Sequence, residues 1–577
     1  EPDVISSLTG RKKLSVVILV IFSAVIGMAN YFVMAFRNNP ILPWDIQSFS
    51  TAMKVADNYK FEMNSRFYIS TGVLAFLLLL TIILSIYIRK KPTPFCGLKC
   101  RIAGFLLSFA CIILIMTGMM NDKVTKELLT PTNLFTQWAS YRDNGFMVSF
   151  MQNLQYMKIK KPQGYKANKL DEELQTFINE YKANNPDNPI FSNEDSSVIA
   201  PDIIVIMNES FADLSVLHDF STDADYMPNI HAYQETDAPN LITGNLFVSV
   251  LGGNTANTEF EFLTGGTTAF LPSGSIPYQQ YISSPLTSLA SILSPQGYHT
   301  AGIHPYNASG WNRNKVYPYM GFEKTFFKEA FSGAEILRKY ISDKAAFDKL
   351  KELTENDSDA SHFLFEVTMQ NHGGYTDIFD NCPLQVTLTD INSSTNSGTE
   401  NYLTLVKKSD EAFAELIRYY SNQTKPTIIL MFGDHQPNDY VSEKVAALTG
   451  VPKDKRDFEE LQNRYIVPYV IWANFPLKKE KAGLTGLAAL EKERLINENT
   501  LSPNYLGACL MKLSGNDPTL YQEFLLILKE DLPVLTANVA IDKDGNYMTI
   551  DEAKKKYPKL LNLYQKLQYR ELFDKSY

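Results

Sequence analysis

The distribution of apolar residues divides the chain into two unlike parts. Three long runs without a charged residue lie near its beginning, at 14–36, 68–88 and 102–120. At about 1.5 Å per helical residue, each run can cross the roughly 30 Å hydrocarbon core of a bilayer. A buried helix of a soluble protein would normally show a polar face, and a signal peptide would end in a cleavage site. We therefore interpret the runs as three transmembrane helices.

Basic residues set the expected orientation of these helices. The segments 11–13 and 89–101 are strongly basic, whereas 37–67 carries acids and bases together. Because basic loops stay in the cytoplasm, the residues after about Met120 are expected outside the cell. The chain starts with Glu1 and not with methionine, which leaves open whether further spans precede it.

Beyond Ala200 the pattern changes to short β-branched runs that alternate with helical stretches. Nearly continuous apolar runs are typical of parallel strands that are covered on both faces. The strand candidates are 202–207, 299–303, 363–368, 427–432 and 465–473. This alternation predicts an α/β fold, with a mostly parallel central sheet between layers of helices.

The two patterns together predict four regions along the chain. They are a membrane domain (1–120), a helical juxtamembrane connector (121–197), an extracellular α/β domain (198–530) and a C-terminal region packed on it (531–577). In the connector, 146–159 and 170–183 have apolar residues at helical spacing. In the C-terminal region, 540–551 reads as a hairpin with an Asp-Gly turn.

The net charge excludes one functional class, and the cysteine content leaves one structural question open. The chain has 54 basic and 63 acidic residues and a net charge of −9, which argues against a nucleic-acid-binding protein. Of the five cysteines, Cys382 and Cys509 are expected outside the cell. Whether they form a disulfide is left open, because sequence alone cannot bring them together.

Polar side chains follow the predicted strands at their carboxyl ends, where open α/β sheets bind ligands. Glu209, His304 and His372 each follow a strand, and Asp434 and His435 follow another. A single histidine in such a place is usually a structural group, but three of the seven histidines lie at these ends. Carboxylates and imidazoles are ligands for Mn²⁺, Mg²⁺ or Zn²⁺, so this set indicates a site for a divalent cation.

Two threonines raise a separate question about reactivity. The stretch GGNTANTEFEFL (252–263) runs from two glycines into a probable helix that begins near Asn254. A hydroxyl at this position usually caps the helix, but the helix dipole also favours a developing oxyanion. A nearby cation would favour the oxyanion more strongly. The roles of Thr255 and Thr258 therefore depend on whether a metal lies beside them.

Five motifs follow one another along the chain, namely IVIMNESF, GGNTANTEFEFLTGG, HPYNASGWNRNKVYPYMGF, VTMQNHGGY and MFGDHQP. Their order resembles that of the lipoteichoic acid synthase and phosphoglycerol transferase family, within the alkaline phosphatase and sulfatase superfamily. The resemblance implies a sulfatase-like α/β/α domain and one divalent metal, manganese in the first place, with magnesium and zinc as alternatives. The implied ligands are Glu209, Thr255, Asp434 and His435, while Thr258 is expected only to pack.

The resemblance also implies a substrate pocket. Its residues are His304, Trp311, Arg313 and His372. The family places an acidic residue shortly after the histidine that corresponds to His304, whereas this chain has Tyr306. The contact made by that acidic residue is therefore not carried over.

The implied function is a transferase in the bacterial cell membrane, multi-pass, with its catalytic domain outside. It would move glycerol phosphate from phosphatidylglycerol to a lipoteichoic acid polymer, a glycolipid or a surface polysaccharide. Thr255 would be the nucleophile in a covalent glycerophospho-threonine mechanism, Arg313 would offset phosphoryl charge and His372 would act as general acid.

Three alternatives stay open at this point. They are a phosphodiesterase or phosphatase that uses water, a phosphoethanolamine transferase, and a non-catalytic surface binding module. The last is disfavoured because all four implied metal ligands are present. Sulfate-ester hydrolysis is not expected, because NTANTEF lacks the cysteine or serine that sulfatases of the superfamily convert to formylglycine.

Overall fold

A computed structural model provides the structure of the chain. It describes residues 12–37, 40–43, 45, 65–87, 98–119, 137–154, 159–191, 200–272, 274–357, 359–390, 397–485 and 497–574. The chain forms two compact units, one of residues 1–159 with 272–274 and one of the remaining residues from 160 to 577. Positions 89–97 of the basic segment lie outside the described residues, as do positions 121–136, 155–158 and 192–197 of the predicted connector. The four-region division stays a prediction.

The first unit is helical in its described parts. Its helices are Lys12–Arg37, Ser65–Tyr87, Leu98–Met119, Gln137–Asn144 and Phe146–Leu154. Two of them contain stretches long and apolar enough to cross a membrane by length and composition, Val17–Met34 and Ile102–Met119. The middle helix has a shorter apolar stretch, Phe67–Leu80. By length and composition, the described residues support two of the three predicted spans. This evidence alone does not support the predicted multi-pass arrangement in the membrane.

The second unit is built on a seven-stranded sheet with the order β2-β9-β8-β1-β7-β3-β4. The strands are β1 Asp202–Asn208, β2 Leu241–Phe247, β3 Tyr298–Ile303, β4 Lys324–Phe326, β7 Ser361–Val367, β8 Thr427–Gly433 and β9 Ile466–Ala473. A two-stranded hairpin is formed by β5 Ile336–Leu337 and β6 Tyr340–Ile341, and a three-stranded sheet by β10 Val534–Leu535, β11 Ala540–Ile541 and β12 Tyr547–Met548.

Helices follow or connect most of these strands in the second unit. The longer ones are Leu170–Asn184, Thr255–Thr264, Asp343–Glu355, Ser397–Ser421, Pro503–Leu513, Leu520–Asp531 and Pro558–Phe573. The shorter ones are Pro228–Gln234, Pro277–Gln280, Leu289–Leu293, Arg313–Tyr319, Asp439–Ala446, Phe458–Gln462 and Ile550–Lys556.

The sheet is mostly parallel, and this confirms the predicted fold class. The strands β8, β1, β7, β3 and β4 run in one direction. Alternate residues of β1 face opposite cores, with Val205 in one apolar cluster and Ile206 in the other. Helices cover both faces of the sheet, so every residue of β1 is buried. This explains why the interior of the strand is a continuous run of apolar residues.

Three strands of the large sheet differ from the prediction, because the short edge strand β4 and the strand β2 were not predicted and β9 runs in the opposite direction. The segment predicted at 465–473 is β9, but it runs antiparallel to β8. The strand β2 was not predicted, because its sequence LITGNLF includes a glycine, a threonine and an asparagine. It lies beside β9 at the edge of the sheet, and glycine is required at position 244 because a Cβ there would lie 2.6 Å from the Tyr469 ring. The C-terminal hairpin is confirmed by the antiparallel pairing of β11 with β12.

A charged cluster follows β1 on the way to the helix Pro228–Gln234. His231 Nδ1 lies 3.0 Å from the Asp225 carboxylate and its Nε2 lies 3.6 Å from Asp213. Burial by itself lowers the pKa of His231, but the hydrogen bonds and charges of Asp213 and then Asp225 outweigh it and raise the pKa to about 9. The imidazole is therefore a cation at neutral pH, held between two carboxylates.

This cluster predicts a pH-dependent contribution to stability. A raised folded-state pKa stabilises the fold fully below the unfolded value of about 6.5, and the contribution is lost as the pH rises through about 9. We expect His231→Gln to lower the free energy of unfolding by about 2 kcal/mol near pH 6. Thermal unfolding of the full chain in detergent should show the difference shrinking at alkaline pH. A difference that is equal on both sides of the folded pKa would contradict the assignment.

Candidate active site

The register of the central strands brings two acidic residues to the same level. Asn208 of β1 pairs with Gly433 of β8, so Glu209 and Asp434 leave the sheet side by side. The chain after β1 then passes over β8 so closely that a Cβ on Gly433 would lie 1.9 Å from the carbonyl oxygen of Phe211. Only glycine permits this approach. The Ser210 backbone N–H consequently reaches Asp434 Oδ1, at 2.6 Å.

Thr255 completes this group as the first residue of the helix Thr255–Thr264. The preceding residue, Asn254, has φ 63°, a left-handed conformation that asparagine tolerates better than most residues. Thr255 Oγ1 lies 3.5 Å from Glu209 Oε2 and 3.5 Å from His435 Nε2. The four side chains expected to meet therefore do meet, although they come from three distant segments of the chain.

Three electron-rich atoms face one another in this buried space. Candidate ligand atoms of Glu209, Asp434 and His435 all lie within 4.8 Å of one another. His435 Nδ1 donates a hydrogen bond to the Gln436 carbonyl at 2.9 Å, which leaves the Nε2 lone pair directed inward. That nitrogen lies 3.2 Å from Asp434 Oδ2, a buried oxygen that accepts no hydrogen bond.

The protonation equilibria reflect the crowding of these groups. Burial raises the pKa of Glu209, and the neighbouring Asp434 raises it further. Burial also raises the pKa of Asp434, to about 7, although hydrogen bonds from Thr255 and from two backbone N–H groups oppose this. A cation between the carboxylates would favour their ionised forms. The donor set, two carboxylates and one imidazole beside a hydroxyl, therefore fits a divalent metal.

The second threonine has a different environment. Thr258 lies one turn along the same helix, is fully buried, and donates a hydrogen bond of 2.8 Å to the main-chain carbonyl of Asp434. This bond ties the helix to the loop after β8. The contact agrees with the expectation that Thr258 packs while Thr255 faces the metal ligands.

His304 and His372 lie at neighbouring strand ends but in different surroundings. His304 is buried, and its Nδ1 donates to the Val367 carbonyl at 2.8 Å. Burial, and then the charge of Arg313, hold the pKa of His304 well below its usual value, so the ring is neutral. His372 is exposed, and its Nδ1 lies 3.1 Å from the hydroxyl of Tyr340. Its charge lowers the pKa of Glu209, which indicates that the two groups are close.

The segment that carries Trp311 is strained. Trp311 has φ 53° and Asn312 has φ 58°, so two successive non-glycine residues are left-handed. Asparagine adopts this conformation readily, but for a bulky tryptophan it costs of order 1–3 kcal/mol. Trp311 is half-buried against the apolar core, and Arg313 then begins the helix Arg313–Tyr319.

The guanidinium of Arg313 is bound to a buried carboxylate, and its expected contact with substrate stays a prediction. Its side chain is buried, and Nε and Nη2 both donate to the carboxylate of Glu259. The hydroxyl of Tyr317 donates to the same carboxylate at 2.8 Å. Burial alone would lower the pKa of Arg313, but Glu259 outweighs it and the pKa is raised. Nη1 points toward Gly310 and makes no hydrogen bond to the residues that the structure describes.

Sequence reasoning missed Glu259 and Tyr340. Glu259 and Glu261 alternate with phenylalanines in a helical segment, and charged residues in such a segment are ordinarily solvated. Here both carboxylates are fully buried, Glu259 on Arg313 and Glu261 on Ser249 and Thr268. No local signal distinguishes these positions from surface ones.

The structure also answers two questions left open by the sequence. Cys382 and Cys509 are both free thiols, and Tyr306 packs beside His304 with ring centroids 6.2 Å apart.

Comparison with known proteins is consistent with this architecture. The profile of the family described as Sulfatase matches residues 201–515. A Rhizobium meliloti (strain 1021) protein, "Putative cyclic beta-1,2-glucan modification protein", is 27% identical over 581 residues, which is 99% of this chain and 84% of the relative. The capsular polysaccharide biosynthesis protein RkpI of the same organism is 30% identical over 246 residues, 41% of each protein.

A solved structure with the same fold is the Streptococcus pyogenes phosphoglycerol transferase GacH in complex with sn-glycerol-1-phosphate. It superposes with a TM-score of 0.55 and 20% identity, covering 72% of this chain and 96% of GacH. This likeness confirms the predicted alkaline phosphatase/sulfatase-like architecture.

The ligand geometry predicts that a divalent cation stabilises the protein. Metal present at about 100 times its dissociation constant should raise the free energy of unfolding by about 2.7 kcal/mol. Thermal unfolding of the EDTA-treated full chain with added Mn²⁺, Mg²⁺ or Zn²⁺ measures this. His435→Gln should remove the response, whereas His299→Gln, at an exposed histidine, should retain it. An equal response in the two variants would place the bound metal elsewhere.

The buried ion pair of Glu259 with Arg313 leads to a prediction about stability. We expect the negative charge of Glu259 to contribute more to the free energy of unfolding than the packing of its side chain does. Glu259→Gln leaves the Arg313 guanidinium buried without a counter-ion and should cost about 3 kcal/mol. The matched control is Glu261→Gln on the same helix. Its carboxylate binds only neutral donors and has a pKa raised by burial to about 7, so the amide should cost about 1 kcal/mol or less. Equal losses in denaturant unfolding would show that the ion pair contributes nothing specific.

Proposed function

The chain belongs to the sulfatase family, and from this premise we propose that it is a membrane-anchored, metal-dependent phosphoglycerol transferase. It moves glycerol phosphate from phosphatidylglycerol to an acceptor in the cell envelope. The observation that carries the proposal is the position of Thr255 Oγ1, 3.5 Å from both Glu209 and His435 in the cluster that fits a divalent metal. A threonine here supports phosphoryl transfer, because it cannot form the formylglycine of sulfatases.

Glu209, Asp434 and His435 would hold the cation, with manganese proposed first. When bound, the cation would lower the pKa of the Thr255 hydroxyl and offset negative charge on the phosphoryl group. The position of Thr255 at a helix N-terminus adds to this effect, because the helix dipole favours a negative oxygen.

Two displacements at phosphorus make up the proposed reaction. Thr255 Oγ, its proton already released to solvent, forms a bond to phosphorus, and the bond from phosphorus to the diacylglycerol oxygen breaks. Protonated His372 gives its Nε2 proton to that oxygen. An acceptor hydroxyl then attacks the glycerophospho-threonine, gives its proton to His372 Nε2, and Thr255 leaves as the alkoxide.

Substrate binding is assigned to the residues around this centre. Arg313 Nη1 and the Nε2 atom of the neutral His304 would contact phosphoryl and glycerol oxygens. The charge of Arg313 lowers the pKa of His304, which indicates that the two side chains are near each other. Trp311, held in its strained conformation, would pack against the glycerol. GacH was solved with sn-glycerol-1-phosphate, which supports this ligand class on the shared fold.

The acceptor is proposed to be a saccharide hydroxyl. The two Rhizobium relatives are named for cyclic glucan modification and for capsular polysaccharide biosynthesis. Both names favour a carbohydrate acceptor over a growing polyglycerol phosphate. The apolar helices Val17–Met34 and Ile102–Met119 support a membrane anchor, which would keep the catalytic unit near its lipid donor at high effective concentration.

The matched pair Thr255 and Thr258 tests the nucleophile. Thr255→Ala should lower transfer of labelled glycerol phosphate from phosphatidylglycerol by at least about 10³-fold while metal binding and thermal stability are largely kept. Thr258→Ala should instead cost about 1 kcal/mol of stability, because it removes one buried hydrogen bond, and it should keep most of the activity. Mass spectrometry should find a glycerophosphate adduct on the peptide with Thr255 in the wild type only.

Three outcomes would count against the proposal. Wild-type transfer by Thr255→Ala would remove Thr255 from the chemistry, and full activity in excess EDTA would remove the metal. A product released only to water, with cyclic β-1,2-glucan or polysaccharide present as acceptor, would favour the phosphodiesterase alternative.

A further inference from the structure

The hairpin of β5 and β6 is bonded to the loop that carries His372. Arg338, between the two strands, donates through Nη2 to the main-chain carbonyls of Gln370 at 2.9 Å and His372 at 2.6 Å. Its Nη1 lies 3.4 Å from the Gly374 carbonyl. Arg338 has φ 53°, so the hairpin backbone is strained where it presents this guanidinium.

The same loop is held from its other side. Tyr375 donates to the Asn371 carbonyl at 2.6 Å, and its ring lies 5.6 Å from the Arg338 guanidinium. Asn381 donates to the carbonyls of Ile336 and Arg338, which binds the far part of the loop back to the hairpin. These contacts fix the backbone at His372 although the His372 side chain is exposed.

Tyr340 makes the one described contact to the imidazole ring of His372. Its hydroxyl is 3.1 Å from Nδ1, and the two rings pack edge to face with centroids 5.5 Å apart. Tyr340 itself is nearly buried, so its hydroxyl has a fixed position. The contact with Tyr340 therefore fixes the orientation of the His372 ring, which an exposed side chain would otherwise be free to change.

The three histidines of the site differ in the group that bonds their Nδ1 atom. In His304 and His435, Nδ1 bonds a main-chain carbonyl, and Nε2 of His435 is directed at Thr255 and Asp434. In His372 the group on Nδ1 is a side-chain hydroxyl. The anchor of His372 can therefore be removed by substitution, whereas the anchors of the other two cannot.

We propose that Tyr340 is a positioning residue for proton transfer by His372, an inference that rests on the proposed function. The Tyr340 oxygen accepts the Nδ1–H hydrogen bond throughout, so Nε2 is the nitrogen that gains and loses the proton. As the bond between phosphorus and the diacylglycerol oxygen breaks, the Nε2 proton goes to that oxygen, and the neutral ring then takes one proton from the acceptor hydroxyl. Arg338 holds the backbone from which the ring extends.

The test compares two donors in Tyr340→Phe, an isosteric change. One donor is phosphatidylglycerol, whose leaving alkoxide needs a proton, and the other is the glycerol phosphate ester of p-nitrophenol, whose leaving phenolate does not. We expect the rate of the first displacement, measured in a single turnover, to fall about tenfold on the lipid and less than about twofold on the nitrophenyl ester. His372→Asn should lower this single-turnover rate about 10²-fold or more on the lipid alone, because the second displacement, which needs His372 with either donor, is not measured.

Tyr375→Phe is the matched control, because its hydroxyl holds the same loop but not the ring. It should change the activity on the two donors by the same factor, and thermal unfolding should show that Tyr340→Phe remains folded. An equal loss on both donors in Tyr340→Phe, or no loss on the lipid, would overturn the inference. Either result would leave the proposed function intact, since that stands or falls with Thr255→Ala.

Discussion

The site depends on one electrostatic constraint: electron pairs of Glu209, Asp434 and His435, three buried side chains, converge on the same small space. Asp434 Oδ2 and His435 Nε2 are 3.2 Å apart, and His435 has already committed its Nδ1 proton to a backbone carbonyl. Such an arrangement is unfavourable unless a positive charge lies between the atoms. The same charge would make the oxygen of Thr255 acidic, so structural stability and reactivity have one physical origin.

The rest of the second unit holds these atoms in place against their mutual repulsion. Parallel pairing of β1 with β8 sets the level of the two carboxylates, and glycine at position 433 allows the chain after β1 to cross over. Thr258 then fixes the helix of Thr255 to the loop of Asp434. A strained centre of this kind needs a rigid frame, because small displacements would let the groups move apart.

A layer of buried polar residues supports this frame beneath the strand ends. Asn208, which directly precedes Glu209, donates to Asp343 at 2.8 Å, and Ser409 donates to the same carboxylate at 2.5 Å. Asn371, next to His372, donates to both Asn208 and Ser409. The network therefore links the segment of Glu209 to the His372 loop. Burial raises the pKa of Asp343 to about 6, which is consistent with its enclosed position.

The sequence by itself determined the class of fold and the segments that carry the candidate metal ligands. Long charge-free runs, continuous apolar strands and polar residues at strand ends are local patterns, and local patterns follow from helix and strand periodicity. The tertiary structure alone decided which way β9 runs, that Glu259 is buried against Arg313, and that Tyr340 lies on His372. Those outcomes depend on contacts between residues more than 30 positions apart, for which one sequence carries no periodic signal. The same limit explains why β2, with its polar edge-strand residues, was recognisable only from its pairing with β9.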